Sequence, residues 1–111
     1  MITQIISVIE NISGLPVIPL QSDKLQEQII YTPTPISDDG VVNQYQLKLN
    51  IITTTLAKAD EKDIAIRNAL IDTGDKPKIN SAITINLNGG GTLVNGEYIH
   101  RFINLVIKET R

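Results

Sequence analysis

Few side chains in this sequence combine a type and a spacing that could do chemistry. Asp72-Thr73-Gly74 is one such set, because an aspartate in a tight glycine-ended triplet can share a proton with a second carboxylate and activate water. Asp60, Glu61 and Asp63 put three carboxylates within a short stretch, as a metal site would need. His100 is the one histidine of the chain and would have to serve alone as base or ligand. Gly89-Gly90-Gly91-Thr92 is the kind of run that lets backbone amides approach a phosphate. Arg101 is a lone cation on the otherwise apolar parity of an alternating stretch.

Each set has a plainer reading that its context favours. The aspartate triplet resembles the active-site triplet of retroviral-type aspartic proteases, but there it lies early and most of the domain follows, including an apolar pair plus glycine. Here it comes late, no such element follows, and Asp75 adds negative charge beside it. A loop, Asp72 to Pro77, that terminates a helix is the reading the context supports. The glycine run lacks the lysine and the following helix of a phosphate cradle, so it reads as a flexible hairpin tip. His100 has no cysteine, serine nucleophile or second histidine near it in sequence, which leaves a structural strand residue. The three acidic residues read as solvated positions favouring the start of a helix. Arg101 either lies at the exposed end of its strand or pairs with a carboxylate, within the chain or across a subunit boundary. The absence of cysteine removes disulfides, thiolate catalysis and thiolate-bound zinc. No catalytic set, metal site or cofactor site is therefore expected.

The elements that would position these residues centre on Val41 to Ile71. From Tyr45 to Ile51 every second residue is apolar, while Gln44, Gln46, Lys48 and Asn50 fill the other parity, which predicts a strand with one wet face. Beyond Thr53-Thr54-Thr55 the period becomes helical through Leu56, Ala59, Asp63, Ile66 and Leu70, with Ile64 and Ile71 widening the stripe. An earlier helix follows from Ile2, Ile5, Ile6, Ile9 and Ile12, stopped by Gly14 and Pro16. Leu15 to Leu20 can make only a short edge strand because of its prolines. Leu25 to Tyr31 predicts a strand, Thr32-Pro33-Thr34-Pro35 an extended arm, and Asp38-Asp39-Gly40 a hairpin turn into the long strand. Ser81 to Leu87 predicts another strand, broken by Asn88 to Gly91, and Asn95-Gly96 a second hairpin. Tyr98 to Lys108 is apolar on both parities and so central. These elements predict an α+β fold over residues 1–111 as one domain: a single antiparallel sheet of about four strands with two helices packed on one face.

The totals narrow the function classes. At 111 residues there is room for one core, and 41% hydrophobic with 20% charged residues is a globular balance. A net charge of −2 gives no reason to expect specific nucleic-acid binding or an acidic membrane surface. Aromatic residues are only 4%, too few for base-stacking platforms. The N-terminal stretch has no basic segment, and its apolar residues are interrupted by Gln4, Glu10, Asn11 and two prolines, so neither a signal peptide nor a membrane span is expected.

In this order the elements resemble the small tail terminator, or tail completion, proteins of long-tailed bacteriophages and prophages. The resemblance runs through the isoleucine helix, Ile29-Ile30-Tyr31-Thr32-Pro33, the Asp39-Gly40 hairpin and the long strand ending at Thr53-Thr54. It continues through the helix from Leu56 to Ile71 and the closing strand Tyr98-Ile99-His100-Arg101-Phe102. Where the family has an aromatic near the end of the long strand, this chain has Ile51-Ile52-Thr53. The resemblance implies a non-enzymatic virion protein, made in the bacterial cytoplasm, that forms a ring of six copies capping the tail tube. The ring's partners would be the tail tube protein and the head-tail connector protein. The expected subunit or tube contacts are Thr32, Pro33, Thr34, Pro35, Asp38 and Asp39 in the arm, Asn88, Gly89, Gly90, Gly91 and Asn95 in the second hairpin, and Arg101. Two other readings stand beside it: a small binding module or another phage neck or baseplate adaptor, and an aspartic hydrolase using Asp72.

Overall fold

The computed structural model describes residues 2–24, 26–71, 79 and 82–110. Helix α1 (Ile2–Ser13) buries Ile5, Ile6 and Ile9 at helical spacing and leaves Ile12 largely exposed. Its end is closed by the Gly14 N–H, which donates to the Glu10 carbonyl at 3.0 Å, and by the Ser13 hydroxyl, which donates to the Ile9 carbonyl at 2.6 Å. Strand β1 (Val17–Pro19) follows at the edge, as Pro19 within it and Pro16 just before it require.

Strands β2 (Gln28–Asp38) and β3 (Val42–Thr53) form the expected antiparallel hairpin. The Asp39 carboxylate accepts from the Val41 and Val42 N–H groups at 2.9 and 2.7 Å and shapes its turn. Helix α2 (Leu56–Leu70) begins at Thr55, whose hydroxyl accepts the Lys58 N–H at 3.2 Å. Strands β4 (Ile83–Asn95) and β5 (Tyr98–Thr110) form a second hairpin through Gly96-Glu97. The sheet order is β1-β2-β3-β5-β4, so β5 is central, as its two apolar parities predict. At about 3.3 Å per residue the long strands account for the 44 Å long axis.

The α+β architecture with one sheet and both helices on one face agrees with the sequence reading, with two refinements. There are five strands, and β1 runs parallel to β2, Val17 opposite Ile29. The connection between them returns the chain to its starting end, lining hollows on the open face with Leu20, Gln21 and Ser22, so both strands advance in the same direction. The core lies between sheet and helices: Ile29, Leu47, Leu49, Ile51, Ile85, Ile103 and Leu105 from the strands meet Ile5 and Ile9 of α1 and Ile66 and Leu70 of α2. Burying each of these side chains contributes about 1.5–3 kcal/mol.

Two sequence expectations are corrected locally. Leu56 and Ile64, placed on the apolar stripe of α2, are exposed, and the buried stripe is Ala59, Asp63, Ile66 and Leu70. The glycine run does not break β4 or form a hairpin tip. Pairing continues from Leu87 opposite Leu105 to Gly90 opposite Ile103, and Asn88 and Gly89 stand against the single residue Asn104, a one-residue bulge. Gly89 has φ of +94°, and a Cβ on Gly90 would lie 2.4 Å from the Phe102 carbonyl oxygen, so glycine is what allows the bulge to close against β5. The Asp72 to Pro77 loop, with the aspartate triplet, and the strand-starting Leu25 and Ser81 lie outside the described residues.

Candidate functional site

No single cleft gathers the residues that the sequence singled out. They fall into three regions, each fixed by a different element.

The first lies under α2. Arg101 of β5 points to the helix side because it shares parity with Ile99 and Ile103, and it meets Asp60 and the buried Asp63 of α2 there. Its guanidinium donates to Asp63 Oδ2 at 2.7 Å, to Asp60 Oδ1 at 2.6 Å and to Thr92 Oγ1 at 2.8 Å. The hydrogen bonds to Asp60 and then Asp63 hold its pKa above the ordinary arginine value. Asp63 is also approached by Arg67 Nε at 2.6 Å, a close ion pair too bent to count as a hydrogen bond, and its second hydrogen bond from Arg67 is longer at 3.3 Å. Of the alternatives left open for Arg101, pairing with carboxylates of its own chain is the one found. Asp63 is correspondingly buried rather than solvated, and neither it nor Asp60 belongs to the first turn of α2. Among the described residues no group of three or more His, Asp or Glu side chains could hold a metal ion.

The second region is the open face of the sheet, away from the helices. It carries Gln44, Gln46, Lys48 and Asn50 as expected, together with Ile30, Ile52 and Phe102. Leu20, Gln21, Ser22, Lys24 and Gln26 border it and, with the strands, line two adjoining hollows of about 450 and 250 Å³ that share Ser22, Ile30 and Asn50 as walls. Leu20 holds an exposed left-handed backbone (φ 66°) at the rim, a strained conformation for a leucine. His100, near the start of β5, lies in the larger hollow with its Nδ1 3.1 Å from Asn50 Nδ2, and stacks loosely on Phe102 with ring centres 6.4 Å apart. Lys48 Nζ sits 5.3 Å from the Phe102 ring centre, a cation–π contact. Gln28 Oε1, Asn50 Oδ1 and Asn104 Oδ1 are buried without a hydrogen-bond partner among the described residues. The polar parity is legible in the sequence, whereas the residues bordering this face are signalled only by a polar stretch between two strands.

The third region comprises the arm and the second hairpin. Thr32, Pro33, Thr34, Pro35 and Asp38 belong to β2, paired with β3 from Thr32 opposite Lys48 to Asp38 opposite Asn43. The arm is therefore a strand of the sheet, not a free extension. The Ile29 N–H donates to the Pro16 carbonyl and Tyr31 accepts from Leu20, so this parity faces away from β3. Pro33 and Pro35 share it and sit where no ladder donor is lost. Asn88, Gly89, Gly90, Gly91 and Asn95 lie on β4, at the other edge. The two groups are also at opposite ends: the β2–β3 turn adjoins Thr110 through Val42, whereas the β4–β5 turn adjoins Thr53 through Ile99.

Among the described residues, no helix is long and apolar enough to cross a membrane. No family model and no curated protein matches the sequence. One solved structure, whose name states no activity, aligns with all of this chain and 96% of its own length at 11% identity, with a TM-score of 0.59, a likeness that speaks to the fold alone.

Proposed function

We propose that this chain is a non-enzymatic structural protein of the tail terminator kind: six copies form a ring that caps the phage tail tube and joins it to the head connector. Its place of action is the virion, after synthesis in the host bacterial cytoplasm. The observation that carries the reading is that the arm and the glycine-bearing hairpin lie at diagonally opposite corners of the sheet. A subunit with contact elements at two opposed corners can touch a different neighbour with each, and such head-to-tail contact repeats until the rotation closes. The order of elements, matched from the isoleucine helix to the closing strand, points the same way. The net charge of −2 suits a lumen through which DNA slides, because each phosphate contact would add holding energy.

Light scattering of the purified chain across concentration and salt, with imaging of large species, tests this. A closed ring near six times 12.2 kDa supports it. A chain that stays monomeric and is not retained by tail tube protein refutes it. A second reading, a small non-catalytic binding module or another neck or baseplate adaptor, is favoured by one feature: the hollow of about 450 Å³ on the open face, with apolar walls at Ile30 and Ile52.

A further inference from the structure

The two edges of the sheet are built differently. On the β2 side, β1 covers the outward backbone positions through Tyr31, and the next two, Pro33 and Pro35, have no N–H to offer. On the β4 side, the Thr110 N–H donates to the Ala82 carbonyl at 2.8 Å, which fixes the parity along β5. Tyr98, His100 and Phe102 therefore face β4, and their partners Asn95, Leu93 and Gly91 face back. Gly90, Thr92 and Val94 turn N–H and C=O outward, and among the described residues no backbone hydrogen bond from outside the hairpin reaches them. The stretch from Gly89 to Asn95 contains no charge and no proline, the usual devices that blunt an edge, and Leu93 and Val94 are 55% and 69% exposed.

We infer that this edge pairs with the same edge of a second copy of the chain, antiparallel and centred on Thr92. Thr92 then faces Thr92 of the second copy, and Gly90 faces Val94 in both directions. Three opposed pairs, each exchanging two N–H···O=C bonds, make about six hydrogen bonds. The side chains are self-complementary in this register: each Val94 lies over a Gly90 on the helix side, and each Leu93 lies over a Gly91 on the open side. Directly opposed residues share a face, so on either side of the central Thr92 pair large meets small. Laying this edge on the β2 edge of another copy would instead meet Pro33 and Pro35, which lack donors. Sheet continuation therefore selects the two-fold arrangement, which closes at two copies, and a head-to-tail ring would have to rest on other contacts. This inference takes the β4 edge from the ring contact proposed above, leaving the arm and other surfaces for a ring, and the two are separated by the copy number and by the exchange of these amides. So short a pairing falls below a standard interface of about 1,600 Å², so the dimer is weak and depends on concentration.

The test uses the full chain alone in solution. Sedimentation across a concentration series is expected to show a two-copy species. Amide exchange of Gly90, Thr92 and Val94 is expected to slow by about tenfold or more as that species forms, while Gly91 and Leu93, bonded to β5, are protected throughout. Val94→Pro removes an outward donor at an exposed position, and Val94→Lys adds an edge charge without altering the backbone; both should lose the dimer. Thr92→Cys, in a chain with no other cysteine, should oxidise to a covalent dimer, since Cα atoms of such opposed pairs lie about 5.5 Å apart. A monomer at every concentration, a dimer indifferent to both Val94 variants, or a six-copy species with the three amides exchanging fast would each overturn the inference.

Discussion

Replacing Arg101 with alanine removes the tie between β5, the distal part of β4 and α2. The side chain is only 15% exposed and Asp63 beneath it 5%, so most of the interaction is out of water. Removing one partner of a buried pair costs about 3–5 kcal/mol when the other charge is stranded. Two features set the expected figure at the lower end. Asp63 keeps Arg67, at 2.6 Å, and the Asp60 contact, with Asp60 53% exposed, adds no more than about 1 kcal/mol. The expected loss is about 3 kcal/mol, or a fall in Tm of about 12 °C at roughly 4 °C per kcal/mol for a domain of this size. Urea unfolding of Arg101→Ala, Asp63→Asn and the double variant forms a cycle whose coupling energy should exceed about 1 kcal/mol and persist in high salt, since a buried pair is little screened. If Arg101→Ala costs less than about 1 kcal/mol and the coupling vanishes, the cluster is an exposed surface arrangement and the reasoning fails.

Other perturbations separate neighbouring causes. Gly90→Ala puts a Cβ 2.4 Å from the Phe102 carbonyl oxygen and should destabilise by about 1–3 kcal/mol, whereas Gly91→Ala meets nothing within 4 Å and should cost less than about 1 kcal/mol in the same thermal melt. The Tyr45 hydroxyl donates to Glu109 Oε1 at 2.8 Å, and burial first, then that hydrogen bond, raises its pKa. A raised value means its contribution is complete below the unfolded value near 10 and is lost as pH rises toward the folded one, by up to about 1.4 kcal/mol per pH unit. Tyr45→Phe should flatten that alkaline decline while costing about 1–3 kcal/mol at pH 7, because Glu109 loses its donor. Glu27 accepts from the Thr54 N–H at 3.1 Å and pairs with Lys58 at 3.3 Å, and the Thr54 bond chiefly lowers its pKa. Its stabilisation is present above the ordinary value of 4.5 and fades as pH falls through the lowered one, so Glu27→Gln should lose about 0.5–1 kcal/mol at pH 7 and show a shallower acid decline in urea titrations.

The legible parts of the fold were those in which one residue period dominates. Tyr45 to Ile51 alternates without exception, and the strand, its dry face and its wet face all follow. The isoleucine spacing of α1 and the turn chemistry at Asp38-Asp39-Gly40 are equally local signals. What was not legible depends on partners far away in the chain. Asp63 is a helix residue whose burial is decided by Arg101, 38 positions later, and neither position alone says that they meet. A glycine run reads as a break unless a neighbouring strand is known to run past it. Here β5 does, so Asn88 and Gly89 bulge and the strand resumes. The parallel pairing of β1 is set by where its connection runs, and the polar composition of Gln21 to Lys24 carries no direction.

The same prolines that mark the stretch as an extended arm in the sequence are compatible with its place in the sheet. A strand tolerates proline only where the missing N–H would have faced away from its neighbour, and Pro33 and Pro35 both fall on that parity, two residues apart. One pairing face of β2 is thereby kept for β3, and the other, beyond the part that β1 covers, has no donor at Pro33 or Pro35. Strand β4 has the opposite disposition: glycines let it bend around a bulge while its outward amides stay available. An edge without donors resists added strands, and an edge with donors and neither charge nor proline invites them. The arm and the glycine hairpin entered as equivalent candidates for contact, and backbone chemistry separates them. Contact through the arm must use side chains such as Ile36 and Val41, both exposed beside the β2–β3 turn, whereas contact through β4 can use the main chain itself.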